Sequence, residues 1–91
     1  MTYTKKSIPE AVAILAGILN KTCGISQSTV VLSARLVDDL GVDSLGMLEA
    51  VIEAEESFNV SIDAGELNPN MCIGDLISLL KQKGAIDEDR G

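Results

Sequence analysis

Apolar positions along the chain fall into three helical stretches joined by two less regular connections. From Ile8 onward, Ala11, Ile14, Leu15, Ile18 and Leu19 recur at three- and four-residue steps, the repeat of a helix with one buried face. Ser7 with Glu10 three positions later forms a capping box, Pro9 sits in the first turn where it is tolerated, and Cys23-Gly24 marks the stop. A second helix is predicted from Ser44 to Phe58, capped by Asp43, whose carboxylate can accept from unpaired amides of the first turn. Its expected buried stripe is Met47, Leu48, Val51, Ala54 and Phe58. Glu49, Glu53 and Glu56 share the opposite face, with Glu55 nearby and Ile52 beside the acidic row. The last helix starts near Cys72, carries Ile73, Leu76, Ile77, Leu79 and Leu80, and ends by Gly84.

The connections carry information too. Residues 25–43 include Val30, Val31, Leu32, Leu36, Val37 and Leu40, too apolar a set for a solvated loop. They read as an ordered loop docked on the helices, with a short turn at Ser33 to Leu36. A strand is the competing reading, but the chain offers no second strand to pair with it. After Asn59 and a bend at Val60-Ser61-Ile62-Asp63, Ala64 to Leu67 forms one short helical turn before Asn68-Pro69-Asn70 breaks it. The expected fold is all-α: a small four-helix bundle of three main helices and one short helix, with a long ordered loop between the first two. One carrier-sized domain spans 7–84, with flexible ends at 1–6 and 85–91.

Composition narrows the chemistry. Hydrophobic residues make up 46% of the 91, yet there is one Phe, one Tyr and no Trp, so the core is aliphatic. Net charge is −7, from 14 acidic and 7 basic residues, which repels nucleic acid and anionic membranes and favours basic protein partners. Cys23 and Cys72 are far apart in sequence, with no CxxC and no histidine, well short of the four ligands of a zinc site. No signal peptide or membrane-spanning run is visible, and the longest mostly apolar stretch, 11–19, is about half a span. The expectation is a cytoplasmic monomer with reduced thiols and no stable membrane binding.

Catalysis finds no support. A serine nucleophile needs a base within hydrogen-bond reach, usually histidine, and this chain has none. Gly41 and Gly46 flank Ser44 without a GxGxxG or GK[ST] pattern. Asp38 and Glu49 stand at the spacing of EF-hand loop ends, but Leu40 and Val42 occupy ligand positions and Asp43 replaces the required glycine. No metal site is expected. On the residues alone, Asp43-Ser44-Leu45 is either a helix cap or an attachment point, where a helix N-terminus stabilises an adjoining phosphate.

The run Leu36-Val37-Asp38-Asp39-Leu40-Gly41-Val42-Asp43-Ser44-Leu45, continued by Glu49, Val51, Glu55-Glu56-Ser57-Phe58 and Ile62, resembles the acyl carrier protein family. The resemblance extends from the first helix to Leu80, about three quarters of the chain. It implies that Ser44, flanked by Asp43 and Leu45, receives 4′-phosphopantetheine from coenzyme A and that acyl groups ride on that arm as thioesters. A separate phosphopantetheinyl transferase would supply the catalysis, so the protein itself is not an enzyme. Leu48, Glu49, Ile52, Glu53 and Glu56, with Leu45, would meet basic patches on partners such as acyl-loading enzymes, ketosynthases or acyltransferases.

Two positions, Gly46 and Cys72, depart from the family pattern. Gly46 stands where many fatty-acid carriers have an acidic residue, which weakens the helix start and partner surface there. Cys72 falls where threonine often caps the last helix, with Asp75 in place and Asn70 available for part of the cap. Val42 argues against peptidyl carriers. These features favour polyketide or related specialised metabolism slightly over fatty-acid synthesis. The alternatives are an aminoacyl or peptidyl carrier and, outside the carrier class, an unmodified acidic helical adaptor.

Overall fold

The computed structural model describes residues 6–86. Three α-helices form where the apolar repeat predicts them: α1 (Ile8–Cys23), α2 (Ser44–Phe58) and α3 (Ile73–Gln82). Single 3₁₀ turns occupy Gln27–Thr29 and Ala64–Glu66, and no strand forms among the described residues. The second turn is the expected short helix. The turn expected at Ser33 to Leu36 is instead divided between Gln27–Thr29 and backbone turns on either side of Arg35.

The ends of the helices follow local hydrogen bonding. Glu10 N–H donates to Ser7 Oγ at 3.2 Å while Glu10 Oε1 accepts from Ser7 N–H at 2.9 Å, closing the capping box of α1. Gly24, at φ 70°, ends α1 by donating to the last-turn carbonyls. Cys72 N–H donates to Asp75 Oδ2 at 3.0 Å, and the Cys72 thiol lies 3.5 Å from the same oxygen. Asn70 does not share this cap: it is exposed, and its own N–H donates to Asn68 Oδ1 at 2.8 Å.

α1 is the central helix. It packs against both α2 and α3, which approach each other less closely. Phe58, Leu36, Ile73 and Leu80 are the largest fully buried side chains, so one ring and three branched aliphatics anchor the core. The loop of residues 25–43 supplies a share of that core through Val30, Ala34, Leu36 and Val42, while Val31, Leu32 and Val37 of the expected docking set are exposed. Backbone bonds fix the loop: Leu36 N–H donates to Met71 O at 3.1 Å, Ile73 N–H to Ala34 O at 2.9 Å and Gly74 N–H to Leu32 O at 2.8 Å. The Arg35–Cys72 bridge among them is the only strand-like trace of the competing reading in this loop.

The ordered body runs past the expected boundaries. Lys6 N–H donates to Ala85 O at 3.2 Å, Lys6 and Ile86 form a parallel bridge, and Ala85 and Ile86 are buried in the core. Within the spans expected as ends, Ala85 and Ile86 thus bury their apolar side chains and Lys6 pairs with them. The remaining end residues, 1–5 and 87–91, lie outside the described residues.

Two carboxylates strengthen the fold through their charge. The Lys83 ammonium, 2.9 Å away, and the Asp63 N–H hold Glu66 below the ordinary glutamate range. The Ser7 backbone and hydroxyl groups do the same for Glu10. A pKa lowered in the folded state stabilises above the unfolded value and loses that contribution as pH falls through the folded one. Glu66→Gln should lower the thermal midpoint slightly at neutral pH, with the difference from the parent closing in acid below the glutamate range. Equal midpoints at pH 7 would remove Glu66 from the account.

Candidate functional site

The segment before α2 is built to present one hydroxyl. Asp39 Oδ2 accepts from Arg35 N–H at 2.8 Å, and Leu40 and Gly41 N–H donate back to Arg35 O and Val37 O, each at 3.0 Å. Gly41 has φ 72°, a left-handed conformation that glycine adopts without strain. Val42, returning to the core with its N–H on Leu36 O at 2.9 Å, then anchors the chain. Asp43 follows in extended conformation as the N-cap, and its Oδ1 accepts from Gly46 N–H at 2.7 Å. Ser44, the first residue of α2, faces solvent.

That hydroxyl stands beside groups of suitable chemistry. The amides of Ser44 and Leu45 have no acceptor among the described residues, and they lie at the positive end of the α2 dipole. On one side Ser44 opens onto a groove lined by Val37, Val42, Met47, Leu67 and Pro69, with Asn68 and Asp43 at its edge. Met47 is also part of the wall of an apolar cavity between α1, α2 and α3. The space in that cavity is about 20 Å³, little more than one water molecule requires. Chain-length cargo enters it only if the helices part. Val37, Leu67 and Pro69 were not among the expected site residues: the groove joins two segments distant in sequence, and no local pattern marks it.

The expected partner face is assembled but altered. Leu45, Leu48 and Ile52 are exposed by 65%, 57% and 49%, and Glu49 and Glu56 are exposed with them. Leu48 therefore leaves the buried stripe, of whose expected members Ala54 and Phe58 are buried and Met47 and Val51 half-buried. Glu53 is half-covered and paired with Lys21 Nζ at 3.3 Å. Glu55 turns away to accept Ile62 N–H at 2.7 Å.

Gly46 lies in the first turn of α2, close to the end of α1. It is buried, and a Cβ there would lie 2.8 Å from Cys23 Sγ and 3.1 Å from Asp43 Oδ1. The position lies beside the end of α1 and lines a surface pocket with Leu45 and Glu49.

A profile described as the phosphopantetheine attachment site matches residues 13–80. The chain belongs to the acyl carrier protein family. It is 35% identical over 66 residues to the acyl carrier protein of Thermotoga maritima, covering 72% of this chain and 82% of that one. It is 37% identical over 71 residues to that of Renibacterium salmoninarum, covering 78% and 88%. Over 66 residues it is 41% identical to that of Acidothermus cellulolyticus, covering 72% and 79%. Acyl carrier proteins are carriers rather than catalysts, and the group this family carries covalently is 4′-phosphopantetheine. Among the described residues of this acyl carrier, no helix is long and apolar enough to cross a membrane.

The cap that opens α2 can be tested by itself. Asp43→Ala should cost about 0.5–2 kcal/mol in denaturant unfolding, whereas Asp43→Asn keeps an equivalent acceptor and most of the stability. Indistinguishable midpoints for the alanine variant and the parent would mean that the cap does not hold the first turn.

Proposed function

We propose that Ser44 is the residue modified with 4′-phosphopantetheine, and that the protein holds acyl intermediates as thioesters on that arm. The observation that carries this reading is the exposed Ser44 hydroxyl beside two unpaired amides at the start of α2. A phosphodiester at Ser44 Oγ is stabilised by those amides and the helix dipole. Asp43 orients the first turn, Leu45 flanks the serine on the exposed face, and the groove from Val37 to Pro69 offers an apolar surface for the arm. The arm supplies the thiol that bears the acyl group.

Incubation with coenzyme A and a promiscuous phosphopantetheinyl transferase should add one phosphopantetheine to the intact mass, and Ser44→Ala should abolish the gain. No gain in the parent, or an equal gain in the alanine variant, ends this reading. An unmodified adaptor predicts the opposite pair: no mass change, and partner binding that survives Ser44→Ala.

The partners are the transferase and the enzymes that load, extend or remove the acyl group, ketosynthases and acyltransferases among them, each with a basic docking patch. The docking face is Leu48, Glu49, Ile52, Glu53 and Glu56 with Leu45. Lys21 already engages Glu53, so an incoming basic side chain meets Glu49 and Glu56 first, around an apolar row. The carrier works as a monomer in the cytoplasm, where the unpaired thiols of Cys23 and Cys72 stay reduced. Its pathway is polyketide or other specialised metabolism or fatty-acid synthesis, and the acyl or aminoacyl group on protein from its native host separates these and the peptidyl-carrier alternative.

Charge and apolar contact on this face have separable signatures. Glu49→Lys should slow modification several-fold at low salt, with the deficit shrinking as ionic strength rises. Leu48→Asp should slow it with a deficit that high salt does not erase. Wild-type rates for both variants would move the docking surface elsewhere.

A further inference from the structure

Two apolar spaces of very different size meet at one side chain. The groove beside Ser44 is open to solvent and offers about 500 Å³, whereas the cavity between the helices holds about 20 Å³. Among the described residues that line either space, Met47 alone lines both. Its N–H donates to Asp43 O at 2.8 Å, which fixes its backbone in the first turn of α2, and its half-buried side chain forms the wall that the two spaces share. On the interior side the same face of α2 continues with Ala50 and Ala54, whose short side chains also line the cavity.

We propose that Met47 is a specificity-determining residue, which bars aliphatic cargo on the Ser44 arm from the interior and confines this carrier to acyl groups short or polar enough to lie in the outer groove. The interior is walled by side chains without hydrogen-bonding groups, Leu15, Leu36 and Leu76 among them, so an alkyl chain would gain by withdrawing there. It meets Met47 first. Behind that wall the free space is little more than one water molecule requires, and forcing a chain into a packed core displaces side chains from their rotamers. The outer groove makes a different offer. Its floor is apolar at Val42 and Leu67, and at its rim Asn68 accepts Asn70 N–H on Oδ1 at 2.8 Å, while its amide NH₂ is unpaired among the described residues and can donate to an oxygen on the cargo. Cutting residue 47 back to Cβ would join the groove to the interior along Ala50 and Ala54.

The proposal rests on Ser44 being the modified residue, and it is tested on protein loaded from two-carbon and eight-carbon acyl coenzyme A by a promiscuous transferase. Thioester cleavage by hydroxylamine and the thermal midpoint are measured for the parent, Met47→Ala and Met47→Leu. In the parent the two thioesters should be cleaved at rates within about twofold of each other, because the groove leaves both in reach of solvent. In Met47→Ala the eight-carbon thioester should be cleaved several-fold more slowly than the two-carbon one, and the longer load should raise the midpoint by filling the space the substitution leaves. Met47→Leu, of similar volume, should behave as the parent does. Should the alanine variant not hold its fold, Met47→Val carries the same prediction at smaller amplitude. Unmodified protein gives a second readout: under xenon pressure, the amide resonances of Ala50 and Ala54 should shift in Met47→Ala and not in the parent. The proposal is overturned if the parent protects its eight-carbon thioester as strongly as Met47→Ala does, if the alanine and valine variants show no dependence on chain length, or if xenon enters the parent equally. Failure of the parent to be modified would refute the assignment of Ser44 and the role in cargo selection with it, while xenon would still report whether Met47 closes the interior.

Discussion

The backbone pairing between the long loop and the start of α3 is the constraint on which the architecture depends. Three hydrogen bonds, from Leu36, Ile73 and Gly74 to carbonyls across the gap, tie residues 32–36 to residues 71–74. Because α2 and α3 approach each other less closely than either approaches α1, this tie does what direct helix packing does elsewhere. It also lets the loop bury Ala34 and Leu36 without leaving their backbone groups unpaired, which a buried loop otherwise risks. From there the chain has only to close the turn at Gly41 and sink Val42 for Asp43 and Ser44 to reach the surface in register.

The order of dependence then runs from core to surface. Buried Leu36 and Val42 hold the turn, the turn sets Asp43, Asp43 sets the first turn of α2, and Ser44 is carried outward by it. Each link is short-range. The modification proposed at Ser44 asks little of the protein beyond exposure, orientation and a favourable electrostatic environment, which suits a carrier rather than a catalyst. A core with one ring and otherwise aliphatic side chains encloses almost no free space around Met47, Val51 and Leu76, so cargo entering there must displace packed atoms.

Much of this is legible from sequence because the decisive signals act within a few residues. Ser7 with Glu10, Asp43 with Gly46, and Cys72 with Asp75 are each three apart, and the structure closes each pair. The three helices declare themselves through the apolar repeat. Leu48 misleads because the repeat identifies a helix face but not where the neighbouring helix ends coverage of it. The proximity of Gly46 to Cys23, on another helix, is invisible for a related reason: no spacing along the chain encodes that distance. Ala85 and Ile86 adjoin a charged run that resembles a solvated tail, yet they pair with Lys6 from the other end of the chain.

The bridge between Lys6 and Ile86 has a consequence for where the chain enters and leaves this carrier. Both ends of the described chain emerge together, beside the start of α1. Ser44 sits at the far end of that helix, where Cys23 meets Gly46. Sixteen residues of helix span about 24 Å at 1.5 Å per residue. The chain therefore enters at Lys6 and leaves at Ile86 from the pole opposite the serine. Entry and exit of the folded body share one pole, and the exposed serine has the other to itself.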